Sequence, residues 1–429
     1  MKNENVCIIA MLACSVLPLT ASGANLCVSA RGHRGPANGC YSRIADAISA
    51  AAPFDVINVE SGTYREAVVI TKPLSLVGNR AIVEAAGLSR GIFVDGLNTP
   101  NLAGVNVSGF TVQNANFEGI LVANASAVTI SSNAVYNNNK SLAGGACPGL
   151  EAFEPGEQMD CGEGIHVLGA DHSIVTNNTV EGNAGGILLS DDTGPAHDNL
   201  VSFNLVRNNP FACGITMASH AAASISGSAV PLGVYHNTIY ANRSTRNGNG
   251  VGGGSGIGIF ASVPDAKSYG NVVVNNFVSD NGHPGISMHA HVPGQNLDDN
   301  MVVGNTIMNN GTDTGDAATP GTTGINVYAA GPVTGNIISG NSIQKDSYDV
   351  VTHNPALVQV QFNNLWGLQY GLSNLGNGPV YATNNFWGCP LGPIGIGSCS
   401  SVEGSNVETT PWLKLAIPTA PQYYTEPRY

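Results

Sequence analysis

The stretch GIHVLGADHSIVTNNTVEGNAGGILLSDD, residues 164–192, contains the unit from which most of the chain is built. A Gly-Ile pair opens a short alternating strand, β-branched residues lead to a turn that contains asparagine, and a further apolar segment leads to the next Gly-Ile pair. Strands this short cannot bury an apolar face alone, but stacked copies of the unit can. The stretch therefore predicts a solenoid of β-strands.

The same unit recurs along the sequence. Its Gly-Ile element recurs at Gly91, Gly119, Gly164, Gly186, Gly214, Gly256, Gly285 and Gly324. Its asparagine element recurs at Asn133, Asn178, Asn204, Asn237, Asn276, Asn305, Asn341, Asn364 and Asn385, and Phe110 holds that position one unit earlier. Asparagine tolerates the left-handed backbone of a tight corner. Its side-chain amide can also bond to an asparagine one coil above or below, so a ladder of asparagines is expected.

The repeat predicts an all-β fold, a single-stranded right-handed parallel β-helix of about eleven coils. At the ~4.8 Å spacing of parallel strands the rod is roughly 50 Å long. Both ends would leave backbone groups unpaired, so each needs a cap. We expect an N-terminal cap in residues 25–55, where Cys40 to Pro53 has an amphipathic helical pattern, the β-helix in 56–400, and a C-terminal cap and tail in 401–429.

The composition excludes some classes of function. Charged residues are 10% of the chain, and the net charge is −13 with only 16 Lys and Arg. Nucleic-acid binding needs a basic surface for the phosphates, so no nucleic-acid partner is expected. The same scarcity disfavours a polyanionic substrate, unless a divalent cation neutralises it. Beyond the N-terminus no apolar run reaches the ~20 residues of a membrane span, so no transmembrane segment is expected.

Residues 1–24 have the pattern of a secretory signal peptide. Lys2 precedes an apolar stretch from Val6 to Leu19, and Ser22 to Ala24 is a small-residue cleavage site. The protein is therefore expected to be secreted or periplasmic, with a lipoprotein cleaved before Cys14 as an alternative.

Export implies an oxidising compartment in which cysteines pair. Local pairing gives Cys27/Cys40, Cys147/Cys161 and Cys389/Cys399, although other pairings stay open. Cys213 is left over and is expected to be a small buried apolar residue.

The opening segment, the repeat and the closing ATNNFWGCPLGP (residues 382–393) resemble secreted bacterial right-handed β-helix proteins. These are the pectate-lyase-like superfamily and the NosD-type accessory proteins, and the resemblance covers roughly Cys40 to Trp412. It implies the β-helix fold. It leaves the function among lyases, hydrolases, epimerases, adhesins and non-catalytic accessory proteins.

Alternation along each Gly-Ile strand separates inward from outward side chains. The Ile and the residue two positions later point inward, and the residues between and after them point outward. Stacking then aligns the outward residues into columns. The first column contains His166, Ser287 and Asn326, the second contains His289 and Tyr328, and the third contains Asp192, His220 and His291. Such a concentration of ionisable groups in a chain this poor in them favours a shared site over ordinary surface polarity.

Asp192 and His220 are expected on adjacent coils, about 5 Å apart at the backbone. A carboxylate beside a histidine suits proton transfer. The candidate catalytic residues are Asp191, Asp192, His220, His289 and His291.

Asp191-Asp192 followed one coil later by His220 is similar to the polygalacturonase-type glycoside hydrolases of this fold. In this resemblance Asp171 corresponds to a further aspartate that those hydrolases carry one coil before the Asp-Asp pair. The Asn-Thr-Asp, Gly-His-Gly and Arg-Ile-Lys motifs of that family are absent, which puts uronate recognition in doubt. A carboxylate pair could still support inverting hydrolysis.

Two other chemistries are open. A lyase or epimerase could use His220 or a histidine of MHAH (residues 288–291) as its base, with Ca²⁺ or Lys267 supplying positive charge. His220, His289 and His291 also resemble a three-histidine site that suits Zn²⁺ or Cu²⁺, and the NosD-type resemblance agrees with copper.

Three long segments, Asn139 to Gly162, Asn242 to Ser255 and Asn310 to Thr323, could wall a groove beside these columns. The candidate substrate-binding residues are His166, Asp171, Lys267, Ser287, Asn326 and Tyr328. The sequence predicts a β-helix that cleaves or rearranges an extended polysaccharide or oligosaccharide in this groove. The alternatives are a non-catalytic binding or accessory β-helix and a cell-surface structural rod.

Overall fold

The computed structural model describes residues 23–30, 39–144, 146–154, 162–315 and 317–418. Residues 1–22 of the predicted signal peptide, Cys161 and the tail from residue 419 lie outside the described residues. Within the described part the chain is almost entirely β and forms the predicted right-handed parallel β-helix. Each coil contributes strands to three faces.

One face is a parallel sheet, here called the Gly-Ile sheet, that receives one strand from each of twelve coils, close to the eleven expected. Its strands are Val68–Ile70, Ile92–Asp95, Ile120–Ala123, Ile165–Leu168, Ile187–Ser190, Ile215–Ser219, Ile257–Ala261, Ile286–Ala290, Thr323–Ala329, Tyr348–His353, Tyr370–Asn374 and Ser401–Gly404. Each strand pairs in parallel with the equivalent strand of the next coil, without a slip in register between Ile165–Leu168 and Ile286–Ala290.

The two other faces join in one larger sheet because the two long strands Ser75–Glu84 and Asn106–Gln113 run through both. The first of these faces also contains Asn25–Val28, Val56–Val59, Thr129–Ser131, Ile174–Thr176, Leu200–Ser202, Thr238–Tyr240, Val272–Val274, Met301–Val303, Ile337–Ser339, Val358–Gln361, Val380–Tyr381 and Val407–Glu408. The second also contains Gly62–Tyr64, Ala134–Tyr136, Thr179–Glu181, Leu205–Arg207, Arg243–Thr245, Phe277–Ser279, Thr306–Met308, Ser342–Gln344 and Asn364–Trp366. A small sheet of Ala196–His197, Val234–Tyr235 and Ser268–Tyr269 lies at one edge.

The core runs through the middle of the stacked coils and consists of the inward residues of every strand. In the Gly-Ile sheet, Ile187 and Leu189 are 1% and 0% exposed, and Ile286 and Met288 are 0% and 1% exposed. The predicted alternation is therefore confirmed. The glycine before each Ile is required by close stacking, since a Cβ on Gly256 would lie 2.8 Å from the carbonyl oxygen of Gly285.

Asparagine ladders cover the corners between faces, as the repeat predicts. One ladder joins side-chain amides of successive coils from Asn133 through Asn178, Asn204, Asn242, Asn276, Asn305, Asn341 and Asn363 to Asn385. The prediction was wrong at two positions, because Asn242 and Asn363 occupy this ladder instead of Asn237 and Asn364. Asn237 belongs to another ladder, where it bonds to Asn199 and Asn271.

The ends of the rod differ in detail from the predicted caps. A short helix, Ile44–Ala50, packs Ile44 and Ile48 onto the first coil, but Asn25–Val28 already pairs in parallel with Val56–Val59. At the other end parallel pairing continues past residue 400 to Glu408. A single 3₁₀ turn, Ser224–Ser226, is the other helical element of the described residues.

Disulfides fasten both ends. Cys27 pairs with Cys40 and Cys389 pairs with Cys399, as predicted. Cys147 is also disulfide-bonded, while its predicted partner Cys161 falls outside the described residues. Within the described chain no helix combines the length and the apolar character that a membrane crossing requires.

Candidate functional site

The outward residues of the Gly-Ile sheet form the predicted columns. His166 pairs in register with Leu188, which pairs with Thr216 on the next coil. In the second column Phe260 pairs with His289, and His289 pairs with Tyr328. Parallel stacking therefore places one outward side chain of each coil directly over the next.

These columns are not an open surface, because long loops fold over much of the sheet. His166, Ser287 and Asn326 are 3%, 0% and 1% exposed, which corrects the expectation that they face a substrate. Phe153, in the loop after Asn139, packs against the outward Leu121 and Leu168. The loop after Asn310 reaches the other part of the sheet, where the carbonyl of Ala317 accepts a hydrogen bond from Asn326. Ser287 Oγ lies 2.7 Å from Ser255 Oγ, and both side chains are buried.

Asp192 and His220 meet on adjacent coils, as the columns predict. His220 Nδ1 lies 3.1 Å from Asp192 Oδ1, and both side chains are buried. Asp192 Oδ2 accepts a hydrogen bond from the Ser190 hydroxyl, and Ser190 Oγ lies 2.8 Å from His166 Nε2. Buried hydrogen bonds thus connect His166 to His220 through Ser190 and Asp192. The sequence placed His166 and His220 in different columns and did not indicate this link.

Asp191 has a different environment from its neighbour. Its carboxylate accepts hydrogen bonds from the backbone N–H groups of His220 and Gly233 and from the Ser219 hydroxyl. Burial raises the pKa of Asp191, while these hydrogen bonds act in the opposite direction. Asp191 is 0% exposed and holds the start and the end of the loop between His220 and Gly233. This arrangement leaves it without access to a bound substrate.

His289 is buried and neutral. Burial lowers its pKa to about 3, and the neighbouring His291 and His283 act in the same direction. Its Nε2 accepts a hydrogen bond from the Asn326 amide, so the ring proton lies on Nδ1. His291 lies beside it with a ring separation of 5.6 Å, is half-buried, and donates from Nδ1 to the carbonyl of Ala261.

A groove of about 590 Å³ opens where the loops leave the Gly-Ile sheet uncovered. Its floor is formed by the outward side chains of Thr216, Ala218 and Phe260. His220 lies at one side of the floor, and His291 lies at another. These two are the candidate catalytic residues that the groove brings together.

Of the three segments predicted to wall the groove, Asn242 to Ser255 is the one that lines it. Gly252 to Gly254 and Phe211 supply one side, and His283 lies beside them. Cys213 also lines the groove and is half-buried, with its Sγ accepting a hydrogen bond from the Ser255 N–H. It is therefore not the fully buried apolar residue that the sequence predicted.

Other candidate substrate-binding residues lie away from the groove. Asp171 accepts one hydrogen bond from the Ser126 hydroxyl and bonds to His172 at the edge of the rod, next to the small sheet. Lys267 is exposed and forms an isolated bridge with Asn296 on that same edge. Tyr328 is half-buried and packs against His353, one coil beyond His289.

The edge with Asp171 carries a feature that sequence reasoning missed. Tyr235 stacks on His197 at 4.9 Å and on Tyr269 at 5.2 Å, one ring from each successive coil. In-register pairing of the small sheet produces this stack. The signal was present in the sequence as a histidine or tyrosine at the second position of each strand of that sheet, at His197, Tyr235 and Tyr269.

The predicted three-histidine metal site is not formed. Among the described residues, three clusters bring potential ligand atoms within 4.8 Å of one another, and none contains His220, His289 or His291. His289 also uses Nε2 in its bond with Asn326. One of the clusters, Glu118, Glu154 and His166, lines a second cavity, which His220 also borders.

Comparison with known proteins supports the fold. Residues 90–261 match the family described as right-handed beta helix region. A search of curated protein sequences gives no match.

Three solved structures are similar along most of the chain. DFA-IIIase from Arthrobacter chlorophenolicus A6, without its lid and in complex with GF2, has a TM-score of 0.53 at 14% identity, covering 91% of this chain and 100% of that one. The A-module of mannuronan C-5 epimerase AlgE6 from Azotobacter vinelandii has a TM-score of 0.51 at 16% identity, covering 87% and 94%. ORF18 of Geobacillus virus E2 has a TM-score of 0.51 at 12% identity and 83% coverage of this chain, which spans 60% of the viral chain. At such identities these likenesses show the fold alone.

Proposed function

We propose that this protein is an exported, carbohydrate-active enzyme that binds an oligosaccharide or polysaccharide in the groove, where His220 transfers a proton to or from the glycan. The observation that carries the proposal is the position of His220. Its ring lines the groove, while its Nδ1 faces the buried carboxylate of Asp192.

A carboxylate at Nδ1 has two consequences for the histidine. It holds the proton on Nδ1, so that Nε2 is the nitrogen that exchanges a proton with a substrate. It also stabilises the imidazolium that forms after proton uptake. The Ser190 hydroxyl donates to Asp192, and the Asp191 carboxylate accepts a hydrogen bond from the backbone N–H of His220. These bonds fix Asp192 and His220 in place, which supports the role of a positioned general acid or base.

The groove lining favours some reactions over others. Neither Asp191 nor Asp192 lines the groove, so paired-carboxylate hydrolysis has less support than acid–base chemistry by His220. No Lys or Arg is among the described lining residues, and Phe211 and Phe260 offer apolar faces. This combination suits sugars without dense negative charge.

Two further observations support the class of substrate and the location. The epimerase and DFA-IIIase among the structural neighbours are carbohydrate-active enzymes. Disulfides persist in oxidising compartments, so Cys27–Cys40 and Cys389–Cys399 support an exported protein, secreted or periplasmic.

The test is turnover of a panel of neutral and uronate-containing glycans by the purified protein, with products separated by mass. His220→Gln and Asp192→Asn are compared with His172→Gln, an exposed histidine on the other edge. We expect turnover of at least one glycan by the wild type and the control, and a loss of ~10²–10⁴-fold in His220→Gln. Full turnover by a folded His220→Gln variant contradicts the assignment. If the wild type binds a glycan without converting it, the protein is a glycan-binding protein and not an enzyme.

A further inference from the structure

A second, smaller cavity lies next to His220 and is bordered by Leu150 and Glu154 of the loop after Asn139. Its volume is about 10 Å³, the space of a single water molecule or ion. The polar residues that line it, apart from His220, are Glu118, Glu154, Glu163 and His166. We call it the Glu118 pocket.

Negative charge in the Glu118 pocket exceeds positive charge. Glu118, Glu154 and Glu163 are 2%, 7% and 3% exposed. Arg90 is the cation that contacts them, with 2.8 Å from Nε to Glu118 and 2.7 Å from Nη2 to Glu154. Three ionised carboxylates and one guanidinium would leave two negative charges in a buried space. Such charges are costly unless a cation or bound protons neutralise them.

Two carboxylate oxygens in this cluster are unsatisfied. Glu154 Oε1 and Glu163 Oε1 are buried and have no hydrogen-bond partner among the described residues. Each oxygen belongs to a side chain that lines the Glu118 pocket. A buried acceptor without a donor costs about 1–3 kcal/mol of folding free energy. A cation that binds to both oxygens would remove this cost.

Protons alone are the competing explanation. Burial raises the pKa of Glu118 and of Glu154, although Arg90 opposes this for both. Protonation would not explain why an imidazole joins the carboxylates. One ligand atom each from Glu118, Glu154 and His166 lies within 4.8 Å of the others. Ligands at metal bonds of ~2.0–2.2 Å are about 3–4 Å apart, so small side-chain shifts would suffice.

We propose that the Glu118 pocket binds one divalent transition-metal ion, with Glu118, Glu154 and His166 as ligands and Glu163 as the fourth group that faces it. Mixed carboxylate and imidazole ligands suit Zn²⁺ or Mn²⁺. The ion neutralises the two excess negative charges. By binding Glu154, the ion also holds the loop of this residue against the β-helix. It fixes the orientation of His166, whose Nε2 bonds to Ser190. The Glu118 pocket adjoins the groove at His220, which lines both, but the proposal does not rest on the proposed enzyme activity.

The test measures metal directly. Full-length protein is purified without chelators and its metal content is determined by elemental mass spectrometry. Chelator-stripped protein is then titrated with Zn²⁺ and with Mn²⁺ while its melting temperature is followed. We expect close to one equivalent of ion and a rise in melting temperature with at least one of the two metals.

Three variants assign the ion to the Glu118 pocket. His166→Gln removes a proposed ligand, and Glu163→Gln removes the charge of the fourth group that faces the ion. Each should weaken binding by at least about tenfold. Glu151→Gln is the matched control, because Glu151 contacts Arg90 from an exposed position and loses the same charge. The control should bind like the wild type.

Two outcomes overturn the proposal. One is wild-type protein that contains no stoichiometric metal and shows no change in melting temperature with either ion. The pocket would then be neutralised by protons and filled by water. The other is unchanged affinity in both Glu163→Gln and His166→Gln, which would place the ion elsewhere. The metal titration of the wild-type protein tests the proposal even if a variant fails to fold.

Discussion

Asp346 accepts a hydrogen bond of 2.6 Å from the backbone N–H of Asn310, at a position where preceding coils of the same ladder carry an asparagine. An ionised aspartate there cannot donate as the asparagines do. Its Oδ2 is buried without a hydrogen-bond partner among the described residues. Burial raises the pKa of Asp346 to about 7, above its ordinary value of 3.8. The ladder therefore ends in a carboxyl group that the fold keeps protonated at mildly acidic pH.

Replacing Asp346 by asparagine should stabilise the protein at alkaline pH. Because the pKa of Asp346 is raised on folding, its contribution to stability is full below pH 3.8 and is lost as pH rises through about 7. Asp346→Asn removes this loss and restores an amide to the ladder. Between pH 5 and pH 8.5 the unfolding free energy of the variant should rise relative to that of the wild type by at least about 1 kcal/mol, measured by urea unfolding. The exposed Asp265→Asn is the control, and parallel pH profiles for Asp346→Asn and wild type would contradict the assignment.

His289 should give the opposite dependence on pH. Its pKa is lowered to about 3 on folding, so the unfolded chain binds a proton below pH 6.5 that the folded chain rejects. Stability from this residue is therefore lost as pH falls from about 6.5 towards 3. When the pH falls from 7 to 4.5, the unfolding free energy of the wild type should decrease by about 2 kcal/mol more than that of His289→Gln. The exposed His236→Gln should behave like the wild type. An equal loss of unfolding free energy in His289→Gln would show that the imidazole of His289 takes up a proton in the folded state.

The repeat alone was enough to predict the fold, because the positions of Ile and Gly determine which side chains face the core. Register within a ladder was harder to predict. Asn237 and Asn242 both follow the repeat pattern in the same coil, and only the lengths of the turns decide which of them joins Asn204. Asp171 was misplaced for a related reason. The chain turns at Gly169, whose φ is +53°, and carries Asp171 onto the next edge.

The candidate site was predicted in part. Alternation places Asp192 beside His220 whatever the loops do, and that contact is present. Alternation does not reveal what folds over an outward residue, so the burial of His166 and His289 was not foreseen. The contact between Arg90 and Glu154 joins residues 64 positions apart through a loop, and no periodic pattern reports it.

Truncating the core of the Gly-Ile sheet tests the register of the fold. Ile286 is 0% exposed and packs in the continuous core. Ile286→Ala should cost ~2–5 kcal/mol in unfolding free energy. Val69→Ala, an exposed position in the first strand of this sheet, should cost less than about 0.5 kcal/mol. A cost below half a kcal/mol for Ile286→Ala would mean that the side chain points outward.

The bridge between Cys147 and Cys161 stays a prediction, since Cys161 is outside the described residues. Closing this loop should hold Phe153 and Glu154 over the Gly-Ile sheet. Peptide mapping without reduction should recover one peptide pair that contains both cysteines. Recovery of Cys161 as an alkylated free thiol would remove the bridge.

The position of a bound sugar tests the central claim most directly. The measurement is a crystal structure of His220→Gln, which should bind without turnover, with the oligosaccharide that the wild type converts. The account predicts sugar on the floor formed by Thr216 and Phe260, with the reacting linkage within hydrogen-bond reach of residue 220, ~3 Å. Sugar bound instead along the stacked rings of Tyr235 and Tyr269, with the groove empty, would contradict it.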